Sequence, residues 1–376
     1  EVTKNSTGRM LKAQIPHIDL RGKTPIDLLR AYPDRAQALV KAARRTLGIF
    51  SDAAAALALP FADRASHRWL KRTRNPFLYE IESFAEILET PGIYALNLCY
   101  EWGCTSGAYR TGENVSLLRV LDWPFPQLGR DVVVTLQSGT AGEFYNLTWP
   151  GVAGVYTGMA PGRFSAAINQ APMRRHGITY AGDWLSNRLL AKRQNGLPPS
   201  HLLRLAFERS AGYEEARQLL ASTPLAMPAI FVLAGLKPGQ GCLIERTETQ
   251  SAILELAAGQ QVCAANHFGS PMLNDGQRWR SREIDSPGRW RQGHAIFGYD
   301  LETPDFSWLQ GPIINARTRL AVVANAATGR LMAQGFEGVS PVTDIFRLPG
   351  LPPEPLPVKE QPGAGAKPSA MEIEWV

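Results

Sequence analysis

The order of helical and strand-like segments predicts an α+β fold in which antiparallel sheet is covered by helices. Three observations carry this. The first hundred residues read largely helical, the chain after Cys104 turns to short β-rich runs, and strands and helices come in groups rather than in βαβ alternation. Thr24 to Tyr32 and Ala36 to Phe50 place apolar residues at helical spacing, with Pro33 and Gly48 near their ends. Asn75-Pro76 breaks the pattern before Tyr79 to Leu88 (YEIESFAEIL), again helical. Pro91-Gly92 punctuates once more, and the apolar run Ile93 to Leu98 reads as strand-like, followed by a turn-like Tyr100-Glu101-Trp102.

Beyond Cys104, Val115 to Leu121, Asp131 to Leu136, Ala153 to Thr157 and Phe164 to Ile168 are short, β-rich and separated by Gly/Pro turns. Helical spacing returns at Trp184 to Lys192, His201 to Glu208 and Tyr213 to Ala221. Strands follow at Ala229 to Ala234, Gly241 to Glu245, Ser251 to Leu256, Gln261 to Ala265 and Leu320 to Asn325. From Leu348 to Lys367 the chain is rich in Pro and Gly and reads as an extended tail.

At 376 residues the chain has room for one large domain or two ordinary ones. With 44% hydrophobic and 20% charged residues and no internal repeat, its composition is that of a soluble globular protein. Its most apolar stretch, Ala53 to Leu59, is too short to span a bilayer and reads as a buried helix segment. The first residue is Glu1 rather than Met, which fits a removed leader or a trimmed start, so the compartment, cytoplasmic or exported, stays open.

The net charge of +6 is spread over scattered clusters such as Lys71-Arg72-Thr73-Arg74 and Arg278-Trp279-Arg280, with no aromatic-interleaved nucleic-acid module. This argues against nucleic acid and leaves a weak preference for a lipid surface or an anionic substrate. The four cysteines match no zinc spacing and are too sparse for a disulfide framework, so no metal or cofactor is expected. Cys99, Cys242 and Cys263, each with apolar neighbours, read as small buried hydrophobes.

Cys104 differs. In Gly103-Cys104-Thr105-Ser106 the preceding glycine permits backbone conformations that a Cβ would forbid. A strained junction there would let the thiol attack the Gly103 carbonyl, and hydrolysis of the resulting thioester would free the Cys104 amine. That amine titrates near pH ~8 and can take the thiol proton itself. No catalytic histidine is then required, and none of the six histidines belongs to a Cys/His family pattern. Farther on, Leu117 to Pro124 (LLRVLDWP) sets Arg119 and Asp122 in an apolar strand, where charges must be paired or used. Arg119 beside the sulfur would lower the thiol pKa and Asp122 would hold the freed amine; a plain ion pair between the two is the equal alternative.

These residues resemble a family. Leu96-Asn97-Leu98-Cys99-Tyr100-Glu101 running into Cys104-Thr105-Ser106, then Arg119-x-x-Asp122, is similar to acid ceramidase and N-acylethanolamine acid amidase, members of the N-terminal-nucleophile (Ntn) hydrolases related to choloylglycine hydrolase. Trp149 to Phe164, Tyr213 to Pro228 and Ala265-Asn266-His267-Phe268 match in order, so the resemblance covers roughly residues 75 to 335. It implies an αββα four-layer sandwich of two antiparallel sheets flanked by helices. It implies that Cys104 is the nucleophile and that cleavage falls between Gly103 and Cys104, with Arg119 and Asp122 as its partners and Asn266 as an oxyanion donor. Asp285-Ser286-Pro287-Gly288-Arg289 resembles the "DSxxR" element of the isopenicillin N acyltransferase branch, which favours Arg289 as the site arginine over Arg280 or Arg282. The spacing from Cys104 to Arg119 is one residue shorter, and Gly269 to Arg289 longer, than in the ceramidase branch.

The expected organisation is a helical small chain, 1–103, a catalytic chain, 104–347, and a tail, 348–376, with the small chain kept as a partner after cleavage. The expected substrate is a small N-acyl amide, lipid-like or aryl, with Trp123, Phe125, Tyr145, Trp149, Val152 and Tyr156 (and Phe144 nearby) as an aromatic acyl site. Any one of these aromatics is more readily an ordinary core or interface residue. Acyl transfer to an amine and a non-catalytic lipid- or metabolite-binding relative remain as alternative functions, and the oligomeric state stays open.

Overall fold

The computed structural model describes residues 12–47, 52–98, 103–256, 261–274, 279–281, 285–296, 303 and 305–349. The chain opens with β1 (His17–Asp19) and five helices: α1 (Pro25–Ala31), α2 (Pro33–Leu47), α3 (Asp52–Arg72), α4 (Leu78–Leu88) and α5 (Ile93–Asn97). The start of α1 follows from a capping box, in which the Thr24 amide donates to Asp27 Oδ2 at 2.9 Å, with Pro25 at the first helical position.

A hairpin of β2 (Gly103–Thr111) and β3 (Asn114–Asp122) follows, then α6 (Leu128–Asp131), β4 (Val133–Gly139), β5 (Gly142–Thr148), β6 (Thr157–Ala160), β7 (Phe164–Gln170) and β8 (Met173–Arg174). Three helices come next, α7 (Tyr180–Arg193), α8 (Pro199–Arg209) and α9 (Tyr213–Ser222), and then β9 (Ala229–Ala234), β10 (Gly241–Arg246), β11 (Ser251–Glu255) and β12 (Gln261–Ala264). The described chain ends with α10 (Pro271–Asn274), β13 (Trp279–Arg280), α11 (Ser286–Ala295), β14 (Thr318–Asn325), β15 (Arg330–Glu337), β16 (Ser340–Pro341) and β17 (Phe346–Pro349).

One eight-stranded sheet has the order β1-β4-β5-β6-β7-β9-β10-β11, and a seven-stranded sheet has the order β12-β2-β3-β14-β15-β16 with β17 beside β15. They pack face to face, with β2 and β3 of one against β7 and β9 of the other. Helices α8 and α9 cover the outer face of the first sheet, and α11 covers β12 and β2 on the outer face of the second. The fold is therefore the expected αββα sandwich. One departure is that β1 joins β4 in parallel, so the N-terminal segment supplies an edge strand as well as helices.

Stacking sheets between helices buries the central strands on both faces, which is why they read as apolar runs. Phe144 of β5 and Phe164 of β7 stack on Phe207 of α8, ring centres 5.3 and 4.9 Å away. Every residue of β7 is buried, as are Gly103 to Tyr109 of β2. Polar side chains on those strands must find partners inside.

Several sequence expectations are corrected. Ile93 to Leu98 is not a strand but the helix α5 (Ile93–Asn97) with Leu98 as its C-cap, because so short a run has no periodicity to tell the two apart. Ala153 to Thr157 is loop up to Tyr156, and β6 starts at Thr157. The segment read only as Ala53 to Leu59 is part of a 21-residue helix that continues through Pro60. The tail boundary at 348 falls inside β17, which carries the second sheet on to Pro349; the rest of the tail lies outside the described residues.

Helices α1 to α5 share the main hydrophobic core with the sandwich, through Leu29, Leu39, Ile81, Phe84 and Ile93. Polar links reinforce that contact. Glu80 of α4 receives two bonds from Arg204 of α8 (2.7 and 3.1 Å), and the same guanidinium donates to the Ala153 carbonyl and stacks over Phe77. Burial pushes the Glu80 carboxyl above its ordinary range, opposed by Arg204. Removing Glu80 would leave Arg204 its second partner, Glu208 one turn on (2.8 Å), so the charge is not stranded but loses a two-bond contact. Glu80→Ala is therefore expected to lower stability by about 1–3 kcal/mol, and by more when Glu208→Ala is added. Denaturant unfolding of the single and double variants checks this.

Candidate active site

The β2–β3 hairpin places the candidate residues by register. Cys104 lies opposite Leu121, Ser106 opposite Arg119, and Gly103 opposite Asp122. Side chains alternate along a strand, so Cys104, Ser106 and Arg119 share the face turned to the other sheet, while Asp122 points to the face covered by α11.

On the inner face, Arg119 is fully buried and donates through one Nη to Ser106 Oγ (3.0 Å) and to Asn169 Oδ1 of β7 (2.6 Å). Asn169 Oδ1 also accepts the Ser106 hydroxyl (2.6 Å), and its amide donates to the carbonyls of Ala264 (3.1 Å) and Ala265 (2.9 Å). The network ties the two sheets together at the thiol. Nε and the other Nη of Arg119 have no partner in it, which leaves buried donors in hand beside Cys104.

On the outer face, Asp122 accepts the Thr318 hydroxyl (2.8 Å) and the Asn315 amide (2.9 Å). Its ion pair, at 3.8 Å, runs to Arg289 of α11 and not to Arg119. Residues three apart on a strand face opposite ways, so the Arg119–Asp122 pair allowed by the sequence does not form. Arg289 reaches across to donate to the Cys104 carbonyl and to Asn266 Oδ1 (2.8 Å). A Cβ at Gly293 would collide with Cys263 Sγ; the glycine lets α11 lie close enough on β12 for that reach.

Asn266 follows β12. Its Oδ1 accepts both Arg289 and the Cys104 backbone N–H (2.9 Å), and its Nδ2 donates to the Gln170 carbonyl (2.8 Å). Two donors on one atom fix the amide's orientation. The thiol itself points at the Ile168 carbonyl (3.8 Å). Burial pushes the Cys104 thiol up to about 11, against the lowering pull of Arg119; Asp122 raises it further, and Arg289 works the other way. Burial likewise raises the Asp122 carboxyl, against Arg289 and its hydrogen bonds.

All five predicted residues, Cys104, Arg119, Asp122, Asn266 and Arg289, are thus brought together from β2, β3, the β12 end and α11. Of the rival arginines, Arg280 lies on β13, where it pairs with Asp183 at 2.8 Å, and Arg282 lies outside the described residues. Asn169 and Ser106 were missed. Ser106 sat inside the quoted Cys-Thr-Ser string, and Asn169 stood out only as a polar residue in an otherwise apolar strand.

The aromatic acyl site is a different matter. Trp123 stacks on Phe125 (5.0 Å) and meets Trp149 (5.5 Å) and Tyr156 (5.7 Å) edge-on, and all four are buried in the core. Val152 is buried in the neighbouring loop, which Asn97 of α5 holds by bonds to Gly151 and Ala153. Tyr145 lies apart from this cluster, against His17 (5.8 Å). An open groove runs elsewhere. Gln170, whose backbone reaches the buried Cys104 thiol, lines one end with Ala171 and Met173; Arg188, Ala191 and Met227 are shared with the second half, which ends against Trp69 and Leu98.

No family model matches the chain. It is similar to bovine (Bos taurus) acid ceramidase, 28% identical over 200 residues, or 47% of this chain and 49% of that one. The human acid ceramidase is 29% identical over 208 residues (50% and 51%), and the N-acylethanolamine-hydrolyzing acid amidase of Cavia porcellus 28% over 179 residues (46% and 48%). The chain thus spans about half the length of the curated relatives it matches. Among solved structures it overlays on the N-acylethanolamine-hydrolyzing acid amidase ortholog of Caenorhabditis elegans with a TM-score of 0.46 and 18% identity, covering 60% of this chain and 93% of that one.

A thiol with its pKa near 11 is almost wholly protonated at neutral pH. In the uncut chain, alkylation of Cys104 at pH 7 is expected to be slower than that of an exposed cysteine by at least ~100-fold and to climb steadily through pH 9 to 10. Peptide mapping after timed iodoacetamide labelling reads both.

Proposed function

We propose that this relative of acid ceramidase and N-acylethanolamine-hydrolyzing acid amidase is a cysteine amidohydrolase that activates itself by cutting between Gly103 and Cys104. One observation carries the reading: the backbone nitrogen of Cys104 already faces an acceptor, Asn266 Oδ1 at 2.9 Å, with Arg289 and the Asp122 carboxylate beside it. An enzyme that uses its own α-amine as base needs acceptors waiting at that atom.

In the activating step the Cys104 sulfur attacks the Gly103 carbonyl carbon, the C–N bond breaks, and the acyl group moves to sulfur. Water then hydrolyses the thioester, leaving a Gly103 carboxylate and a free Cys104 amine. In turnover the amine takes the thiol proton and the thiolate attacks the substrate amide carbon. The oxyanion is met by the Asn266 amide, one of whose two hydrogens is spent on Gln170. Collapse expels the amine, which carries away the proton, and water releases the acid from the thioester. Arg119, with its unspent donors, favours the thiolate, and Asp122 and Asn266 hold the amine.

The groove supports a lipid-like N-acyl amide, since its far half is walled by Trp69, Leu98, Ala191 and Met227. Leu185 (54% exposed) and Leu189 (49%) lie on α7, the helix whose Arg188 and Ala191 line the groove, which suits delivery from a lipid surface. No helix among the described residues is long and apolar enough to cross a membrane. The first 103 residues form the small chain and 104–347 the catalytic one in this reading. The shared core supports the small chain's staying bound after the cut.

The test is intact mass spectrometry of the wild type beside Cys104→Ala, incubated at acidic and neutral pH. The expected outcome is a wild-type split between Gly103 and Cys104 that the variant lacks, followed by transient mass addition at Cys104 when an N-acyl amide is supplied. An uncut, inert wild type under every condition would sink the reading.

A further inference from the structure

Asn266 and Arg289, the two groups that grip Cys104, are themselves joined by a residue assigned no role so far. Ser286 is the first residue of α11, 1% exposed, and three positions before Arg289. Its Oγ accepts the backbone N–H of Asn266 at 2.9 Å. The same oxygen lies 2.7 Å from Nδ1 of His267, the residue after Asn266. One hydroxyl therefore fastens the β12 end to the start of α11, and so fixes Asn266 and Arg289 relative to each other.

Proton placement decides how this junction works. Ser286 Oγ has one hydrogen to give and, with the Asn266 amide on one side, its best acceptor is the His267 nitrogen. That demands a neutral imidazole with its hydrogen on Nε2. Protonating Nδ1 would turn the acceptor into a second donor, and the serine hydrogen would lose its partner in a buried place.

We propose that Ser286 and His267 are positioning residues for the Cys104 site: the serine hydroxyl holds Asn266 in line, and His267 holds that hydroxyl by accepting its hydrogen at Nδ1. The proposal rests on the amidohydrolase reading for its consequence and on geometry alone for its mechanism. The groups facing His267 do not favour a charged ring. Arg289 is a cation acting on it and Trp290 meets the ring in a T-shaped contact at 6.2 Å; the Glu245 carboxylate of β10 binds the amides of Gly269 and Ser270 and not the imidazole. Burial, with Arg289, holds the His267 pKa below its ordinary value. A depressed histidine pKa means the neutral form is favoured in the fold. Site order is then full above the ordinary histidine range and is lost as pH falls through the lowered value.

Two measurements test this on the full-length chain. The first is the ¹⁵N shift of the His267 ring, with His267→Gln as the assignment control. An unprotonated Nδ1 at neutral pH is expected, and a hydrogen found on Nδ1 overturns the proposal whether or not the protein is active. The second is the pH profile of self-cleavage and of Cys104 acylation in the wild type, Ser286→Ala and His267→Asn. Asn offers an acceptor close to the Nδ1 position but does not titrate. Ser286→Ala is expected to slow both reactions about 10- to 100-fold at neutral pH, as misplacement of supporting groups does. His267→Asn is expected to keep near wild-type rates at neutral pH and to lose the further fall in the acid range where the histidine titrates, while the part of the acylation profile set by the Cys104 amine stays. Wild-type rates and an unaltered profile in both variants would overturn it. A wild type that neither cuts nor acylates refutes the amidohydrolase reading instead, and the ring shift still decides the positioning claim.

Discussion

Every polar atom of Cys104 is received by a different part of the fold. Its N–H goes to Asn266 after β12, its carbonyl is met by Arg289 from α11, and its thiol faces Ile168 on the opposite sheet. These contacts cross three of the four layers, so the cysteine cannot be seated until the sheets have packed and α11 has docked. The buried cations follow from the same constraint. Arg119 and Arg289 lie on opposite faces of the second sheet, and each is kept inside only by bonds to neighbouring carbonyls, amides and a carboxylate. Remove the sandwich and neither charge has a reason to be there.

The segment upstream of the cysteine belongs to this arrangement as much as the strands do. Asn97 holds the loop at Gly151 and Ala153, Arg204 of α8 binds both Glu80 of α4 and the Ala153 carbonyl, and Arg188 of α7 donates to the Leu98 carbonyl. Contacts of this kind hold both sides of the Gly103–Cys104 junction in one core. Strain imposed there would be borne by the whole fold rather than relieved locally. The same packing buries the Cys104 thiol and favours its protonated form, shielding it from reagents in solvent.

Much of the site was legible because its residues break local rules. A cation and an acid in an apolar strand, and a cysteine between glycine and small hydroxyls, are anomalies a sequence displays by itself. Asn169 is an equal anomaly in β7 and escaped notice for want of a neighbouring motif, although it joins Ser106 and Arg119 across the sheets. The aromatic residues were legible as buried but not as to purpose. Trp123, Phe125, Trp149 and Tyr156 close on one another, whereas the open groove is walled by α3 and α7, far away in sequence.

The sequence by itself carried the order of elements over most of the chain and the α+β class, through local periodicity, and marked Cys104, Arg119 and Asp122 as polar or reactive residues among apolar ones. Asn266 and Arg289 were reached only through the family resemblance, since an Asn at a strand end and one arginine among three carry no local signal. Only the tertiary structure decided which charges pair. Arg119 and Asp122 look like partners in sequence, yet the two-residue alternation of a strand turns them to opposite faces. Asp122 then meets Arg289, 167 positions away, and Arg119 meets Asn169 on the other sheet. It also decided that Ile93 to Asn97 is helical and that the three residues His17–Asp19 join the sheet in parallel, because segments this short take their conformation from what they pack against.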